Sequence, residues 1–253
     1  MKSGSTYVPL NDFSLLLIGP PLTGKTNVAL QFPDPWIFST DRKVQNAVGR
    51  VKPAKWWFTY SDETDDGQVV HPDNQWLHLT ENAKQAAVNP EVKTLVFDHG
   101  TDMAQILLRH VIRETSGKAV GEASVKPEIQ HYNPFADLFR RFISTMKRSK
   151  KFVILVIHEM IEKDEGTGTM VYRPLIPGQL RDNLGGLFTN VWRTEIVAGP
   201  TGAPQYIVRA QPTPRNALGN SLNLPPTFTF SWPLIEKALQ STTATSPASP
   251  PKA

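Results

Sequence analysis

The segment LLLIGPPLTGKTNVAL, residues 15–30, constrains the fold of this chain more than any other part of the sequence. An apolar run ends at Gly19, and Gly24, Lys25 and Thr26 complete the spacing G-x-x-x-x-G-K-T. Glycine at both ends of the loop lets the backbone leave a strand sharply and approach a bound group closely. The apolar residues before the loop favour a buried strand, and residues 27–31 favour a helix. The segment therefore predicts a strand, a tight turn and a helix.

The same loop predicts a phosphate site. Successive backbone N–H groups at the start of a helix can bind an anion together. Lys25 would reach the outer phosphates of a nucleotide, and the Thr26 hydroxyl would complete the shell of a magnesium ion. A strand, turn and helix without a ligand is the alternative. We expect ATP and Mg²⁺ to bind here, and the loop residues are Gly19, Pro20, Pro21, Leu22, Thr23, Gly24, Lys25 and Thr26.

Strands and helices alternate along most of the remaining chain. Apolar, strand-like segments lie at residues 35–39, 55–60, 93–98 and 152–157. Helical segments lie at residues 76–87 and 103–114, and another is predicted to start at Asn133–Pro134. This alternation is typical of an α/β fold with a mostly parallel central sheet flanked by helices. Residues 191–197, 206–210 and 228–232 favour antiparallel C-terminal strands.

The chain is expected to form one ATPase core over residues 13–240, after an N-terminal segment of residues 1–12. The Ser-, Thr- and Pro-rich residues 241–253 predict a disordered tail. There is no cysteine, which excludes disulfides and thiolate metal sites. No apolar run approaches the roughly 18 residues that cross a membrane. The first residues lack the apolar region of a signal peptide, so we expect a cytoplasmic protein.

Charge is unevenly distributed along the sequence. The formal net charge is only +4, but residues 105–151 contain ten Lys or Arg and four Asp or Glu. A basic concentration of this kind is a candidate surface for a polyanion. An ordinary solvated helix face is the alternative.

Asp98 ends an apolar strand that follows the phosphate loop in the chain. Ligands of open parallel sheets bind at the carboxyl ends of the strands. Asp98 is therefore predicted to hold magnesium opposite Thr26. A helix cap is the other common role of an aspartate at this position. His99, which follows Asp98, stands where many ATPases of the AAA+ class carry a glutamate that orients the attacking water.

The sequence resembles the short RecA-like ATPases of phages, the Sak-type single-strand annealing proteins. The resemblance is carried by LLLIGPPLTGKT, VFDHGTD, IQHYNPFADLFRRF, FVILVIHEM and LIPGQLRDNLGGLFTNVWR, and it extends over about residues 13–215. It implies a RecA-like core, ATP-linked binding and annealing of single-stranded DNA in recombination or repair, and cooperation with a single-strand DNA-binding protein. It also implies self-association into a ring or filament in the cytoplasm of a bacterial host.

The resemblance assigns catalytic roles to two further residues. Asp41 stands where RecA-like ATPases carry the glutamate that polarises the attacking water, so hydrolysis would be slow with this shorter side chain. A cap is the alternative role of Asp41. His158 corresponds to a polar sensor of the γ-phosphate, and a structural histidine is the alternative. With Lys25 and Asp98, these two residues complete the predicted catalytic set.

The same resemblance implies residues for DNA and for a neighbouring subunit. The segments after Arg113 and Glu159 would bind DNA, and Tyr132 would either stack on a base or be buried. An arginine from one subunit would reach the γ-phosphate of another. The candidates for phosphate contacts are Lys118, Lys126, Lys163 and Arg173, and those for the trans-acting arginine are Arg209 and Arg215.

Two other functions share the phosphate loop. A nucleoside-type kinase needs an arginine-rich lid, but residues 161–186 contain only Arg173 and Arg181. A nucleotide-gated replication loader would act without direct DNA contact. The basic stretch at residues 105–151 favours the DNA-binding function over both.

Overall fold

The computed structural model describes residues 12–51, 53–117 and 126–244, which contain nine strands and seven α-helices. The strands are β1 (Ser14–Gly19), β2 (Pro35–Ser39), β3 (Trp57–Tyr60), β4 (Thr94–Asp98), β5 (Phe152–Lys163), β6 (Met170–Pro174), β7 (Asn190–Ala198), β8 (Pro204–Arg209) and β9 (Thr227–Phe228). The helices are α1 (Lys25–Leu30), α2 (Val44–Val51), α3 (Gln75–Val88), α4 (Gly100–Ser116), α5 (Ile129–Lys147), α6 (Leu180–Asn183) and α7 (Trp232–Ala244), with short 3₁₀ turns at Pro72–Asn74 and Leu184–Leu187.

The strands form one sheet in the order β3-β2-β4-β5-β1-β7-β8-β9, with β6 paired to β5. Neighbouring strands from β3 to β7 are parallel, whereas β8 is antiparallel to β7 and β9 to β8. The predicted α/β fold, with a mostly parallel sheet and antiparallel C-terminal strands, is confirmed. The first antiparallel pairing in this C-terminal part is that of β8 with β7. Strand β7 itself is parallel to β1, which the long connection between β5 and β7 allows.

Helices cover both faces of the sheet. One hydrophobic cluster packs α3, α4 and α5 against alternate strand residues such as Phe97 and Leu155. The other packs α1, α2 and α7 against residues such as Leu17, Ile154 and Trp192. Strands that are covered on both faces are apolar at successive positions rather than at alternate ones. This explains why the sequence shows continuous apolar runs before the phosphate loop and before Asp98.

Helix α5 begins earlier than the sequence predicts. Its first residue is Ile129, and Pro134 lies inside the helix instead of in its first turn beside an Asn133 cap. Glu128 and His131 cap the helix reciprocally, and the Glu128 backbone N–H donates to His131 Nδ1 at 2.8 Å. Those two hydrogen bonds satisfy the first turn, so the cap is at Glu128.

Two other boundaries differ from the predictions. Strand β5 continues past residue 157 to Lys163, because residues 159–163 pair antiparallel with β6 in a hairpin. Helix α7 continues to Ala244, past the predicted start of the tail at residue 241, and residues 245–253 lie outside the described residues. None of the helices in the described ranges is both long and apolar enough to cross a membrane.

Candidate nucleotide site

The phosphate loop lies at the carboxyl end of β1, and its backbone requires glycine at both ends. Gly19 has φ +151° and Gly24 has φ +84°. A Cβ on Gly19 would lie 2.6 Å from the carbonyl oxygen of Thr194 on the adjacent strand β7. The Thr23 hydroxyl hydrogen-bonds the Pro20 carbonyl at 2.8 Å and contacts the Thr194 hydroxyl at 2.6 Å. The loop is therefore held in shape by β7 as well as by its own sequence.

Lys25 is buried against the loop that it follows. Its Nζ donates hydrogen bonds to the carbonyl oxygens of Gly19 and Pro20, at 2.9 and 2.6 Å. Burial lowers the pKa of Lys25 to about 8, although the carboxylates of Asp98 and Glu159 act in the opposite direction. The negative charge of a bound phosphate would stabilise the protonated form of Lys25, which burial disfavours. The side chain is thus placed to bind an anion in the loop.

Thr26 and Asp98 meet at the carboxyl ends of β1 and β4. The Thr26 hydroxyl donates to Asp98 Oδ2 at 2.6 Å, so the two predicted magnesium ligands are adjacent. Burial raises the pKa of Asp98, and the Thr26 hydrogen bond only partly opposes this. A hydroxyl and a buried carboxylate are oxygen donors of the kind that Mg²⁺ prefers. The described residues contain no cluster of three or more His, Asp or Glu side chains that could hold a metal alone, so a magnesium ion here would need water and phosphate oxygens as well.

Asp41 lies near the site but is already engaged. Its carboxylate accepts the Lys43 backbone N–H at 3.1 Å and pairs with Lys43 Nζ at 2.9 Å. Burial would raise the pKa of Asp41, but the hydrogen bonds and the charge of Lys43 hold it below its ordinary value. Asp41 is therefore ionised at neutral pH, and its carboxylate is held by Lys43 in the turn before α2.

His99 connects Asp41 to the strand-end histidine. His99 Nδ1 accepts the Asp102 backbone N–H at 3.3 Å, so Nε2 carries the hydrogen. Nε2 lies 3.3 Å from the carboxylate of Asp102 and 3.8 Å from that of Asp41. The ring contacts the edge of His158, with centroids 4.4 Å apart. Asp102 belongs to this cluster, although the sequence did not identify it.

His158 aligns with Gly19 in the pairing of β5 with β1, so the predicted sensor lies beside the phosphate loop. Burial, and after it the positive charge of Lys25, lowers the pKa of His158 to about 4. The imidazole is therefore neutral at physiological pH. Its Nδ1 is buried and has no hydrogen-bond partner among the described residues.

A buried ion-pair network next to the site was not predicted from the sequence. Arg193 on β7 forms two hydrogen bonds with the Glu159 carboxylate, at 2.7 and 2.8 Å, and its guanidinium lies 4.4 Å from the Tyr172 ring centroid. Glu195 bridges Arg193 and Arg209, at 2.5 Å from each. The signal in the sequence was a pair of opposite charges, Arg193 and Glu195, two positions apart in a strand and therefore on the same face.

Of the predicted DNA-contact lysines, Lys118 lies outside the described residues. Lys126 precedes α5 and Lys163 ends β5, and both are exposed. Their exposure leaves them accessible to a polyanion.

Arg173 and Tyr132 have intramolecular contacts instead. Arg173 pairs with Asp182 and with Glu162. Tyr132 packs against the hydrophobic core, and a Cβ on Gly178 would lie 2.8 Å from its ring. Tyr132 is partly buried in the core, whereas the alternative to base stacking was a buried side chain.

Much of the basic stretch at residues 105–151 also serves the fold. Lys147 Nζ donates to the Leu187 carbonyl at 2.8 Å, and Lys151 Nζ to the Asn89 carbonyl at 2.7 Å. Arg141 pairs with Asp137 one helical turn earlier at 2.8 Å. Several of these positive charges are therefore used within the fold, which weakens the argument from charge for a polyanion-binding surface.

The two candidate trans-acting arginines differ in their surroundings. Arg209 hydrogen-bonds Glu195 through both Nε and Nη2. Arg215 is exposed in a turn that lines a cavity of about 570 Å³, together with Tyr172 and Arg193.

Comparison with known proteins places most of the chain in a family. Residues 11–222 match the family AAA_24, described as an AAA domain. No curated protein matches the chain. Among solved structures, a KaiC-like protein from the hyperthermophilic archaeon Pyrococcus horikoshii OT3 is similar, with a TM-score of 0.43 and 11 % sequence identity over 78 % of this chain and 77 % of that chain.

Proposed function

We propose that this chain, which belongs to the AAA_24 family of AAA domains, is an ATPase. On the resemblance of its sequence to the phage annealing proteins, we further propose that it binds and anneals single-stranded DNA in recombination or repair. The contact between Thr26 and Asp98 at 2.6 Å, with Lys25 buried in the adjoining loop, carries the nucleotide part of the proposal. It brings together a phosphate-binding loop and an acidic strand end that are far apart in the sequence.

Each side chain of the site has a distinct task. Lys25 and the loop N–H groups bind the phosphates. Thr26 and Asp98 would hold a magnesium ion, which would neutralise charge on the outer phosphates. The ionised Asp41 accepts a proton from a water molecule placed near the terminal phosphate. The neutral His158 hydrogen-bonds that phosphate through a ring nitrogen. Asp41 is tied to Lys43, so we expect slow hydrolysis.

Strand β5 supports the coupling of nucleotide to DNA. His158 lies where the parallel part of β5 ends, and the hairpin of β5 and β6 follows directly. Lys163 is exposed near the end of that hairpin, where it would contact DNA phosphates. The exposed Lys126, which precedes α5, is the second proposed phosphate contact. A shift of His158 on nucleotide binding would thus reach Lys163 along the single continuous strand β5.

The kinase alternative is disfavoured by ion pairing. The two arginines that a phosphate lid would need, Arg173 and Arg181, are both paired with Glu162 and lie close to Asp182.

In a ring or filament, Arg215 is the better trans-acting arginine, because Arg209 is bound to Glu195. Cooperation with a single-strand DNA-binding protein remains part of the proposal on the strength of the family resemblance.

The test measures ATP hydrolysis by the purified chain with and without single-stranded DNA, together with DNA binding at two salt concentrations. The variants are Lys25→Ala and, as a control, Lys84→Ala on the exposed surface of α3. We expect ATP to strengthen salt-sensitive DNA binding in the wild type and in the control only. ATP binding without any DNA binding would reject the annealing function and favour a kinase or a loader.

A further inference from the structure

Tyr206 is an aromatic side chain that remains exposed beside the phosphate loop. It lies on β8 and is 52 % exposed, and its Cδ1 is 3.5 Å from the position of a Cβ on Gly24. Its partner in the pairing of β8 with β7 is Ile196, which is 44 % exposed. Two exposed apolar side chains, those of Tyr206 and Ile196, therefore lie next to the phosphate loop.

The face of the sheet on which Tyr206 lies follows from strand alternation. Val208, two residues later on β8, is buried in the cluster formed with α1 and α7. Because residues i and i+2 of a strand point to the same face, Tyr206 lies on the face that carries the phosphate loop and α1. The contact with Gly24 agrees with this assignment.

The order of the strands determines towards which side of β1 the base of a nucleotide bound in the loop would point. Asp98 and His158, which would face the outer phosphates, belong to β4 and β5 on one side of β1. Strands β7 and β8 lie on the other side of β1. A nucleoside triphosphate carries its base at the end opposite the terminal phosphate. With its outer phosphates at Lys25 and Asp98, the base is directed towards β7 and β8.

We propose that Tyr206 stacks on the base of the bound nucleotide and that Ile196 extends this apolar surface. The inference rests on the proposed nucleotide binding and adds the subsite that distinguishes a nucleotide from a bare polyphosphate. Stacking needs the aromatic ring and not the phenol hydroxyl. The larger face of a purine overlaps the ring more than a pyrimidine does, so we expect ATP to bind more tightly than CTP.

The experiment compares two ligands that differ only in the nucleoside. The affinities of ATP and inorganic tripolyphosphate are measured by calorimetry with Mg²⁺ for the wild type, Tyr206→Ala, Tyr206→Phe and Lys25→Ala. Phe58→Ala is the matched control, because Phe58 is 40 % exposed on β3 at the opposite edge of the sheet. We expect Tyr206→Ala to weaken ATP about tenfold, equivalent to about 1.4 kcal/mol of stacking, and to leave tripolyphosphate within about twofold.

The remaining outcomes separate this inference from the proposed function. Tyr206→Phe and Phe58→Ala should bind ATP like the wild type, whereas Lys25→Ala should lose both ligands. Equal weakening of ATP and tripolyphosphate by Tyr206→Ala, or no weakening of either, would overturn the base subsite alone. A wild type that binds neither ligand would overturn the nucleotide site and the subsite together.

Discussion

At the scale of single residues, the site depends on charges that the fold holds in unfavourable surroundings. Lys25 donates to two carbonyl oxygens, and Asp98 is a buried carboxyl group that accepts a hydrogen bond from the Thr26 hydroxyl. Burial lowers the pKa of Lys25 and raises the pKa of Asp98, so it favours the neutral form of each group. A bound phosphate and a divalent cation would each supply the opposite charge. Ligand binding is therefore expected to be linked to protonation.

The pKa of Lys25 leads to a prediction about pH. Below pH 8 the ammonium is already protonated, so binding a triphosphate needs no proton; above about pH 8 the amine must first take one up. We expect ATP affinity to fall by up to about tenfold per pH unit above pH 8. Calorimetry in buffers of different ionisation enthalpy would show proton uptake rising between pH 7 and about pH 9.5. Constant affinity over this range would contradict the assignment.

Asp98→Asn gives a prediction with opposite effects on stability and metal binding. A carboxyl group whose pKa is raised on folding costs stability once the pH exceeds its unfolded value, and asparagine removes that cost. We therefore expect a higher midpoint of urea unfolding at pH 7. The gain in ATP affinity that Mg²⁺ provides should fall by about 10- to 100-fold. An unchanged magnesium effect would show that the metal is held elsewhere.

At the scale of elements, the hairpin of β5 and β6 is fastened to β7 by buried ions. The side chains of Arg193 and Glu159 are only 9 % and 4 % exposed. Removing one partner of such a pair leaves an uncompensated buried charge. Because Glu159 follows the predicted sensor His158, this contact also fixes the start of the hairpin relative to the phosphate loop.

Glu159→Ala should therefore lower the free energy of unfolding by about 3 kcal/mol, measured by urea denaturation. Glu159→Leu combined with Arg193→Met should recover most of that loss, because Glu195 keeps Arg209 as its partner. The control is Arg141→Ala, which breaks an exposed pair with Asp137 and should cost less than about 0.5 kcal/mol. Equal losses for the buried and the exposed pair would show that the network does not hold the hairpin.

At the scale of the whole molecule, the charge distribution decides how DNA would be bound. The net charge is only +4, and several lysines and arginines of the basic stretch are occupied by contacts within the fold. DNA affinity should therefore depend on a few exposed lysines and not on the overall charge. Among the described residues, Lys126 and Lys163 are the predicted contacts that are exposed.

We expect a Lys126→Ala and Lys163→Ala double variant to weaken the binding of single-stranded DNA in the presence of ATP. Each lost phosphate contact should reduce the slope of log affinity against log salt by about 0.7. Fluorescence anisotropy at several salt concentrations measures this slope, and Lys84→Ala serves as the control. The DNA contacts lie elsewhere if the double variant keeps the slope of the wild type.

Local patterns predicted the features that depend on neighbouring residues. The strand, turn and helix around Lys25 follow from short-range apolar and glycine patterns, and so does the α/β class. The contact of Thr26 with Asp98 was predictable because parallel strands end at one edge of the sheet. The start of α5 was predicted wrongly, because a reciprocal cap at Glu128 and His131 replaced the Asn133 cap.

The sequence by itself determined the phosphate loop, the buried strands and the acid at the end of β4, because each of these features depends on only a few consecutive residues. Only the tertiary structure decided that Glu159 pairs with Arg193, that His99 lies between Asp41 and Asp102, and that Tyr206 lies beside Gly24. These contacts join segments from different strands and loops. Their partners are chosen by strand order and register, which no local pattern of residues specifies.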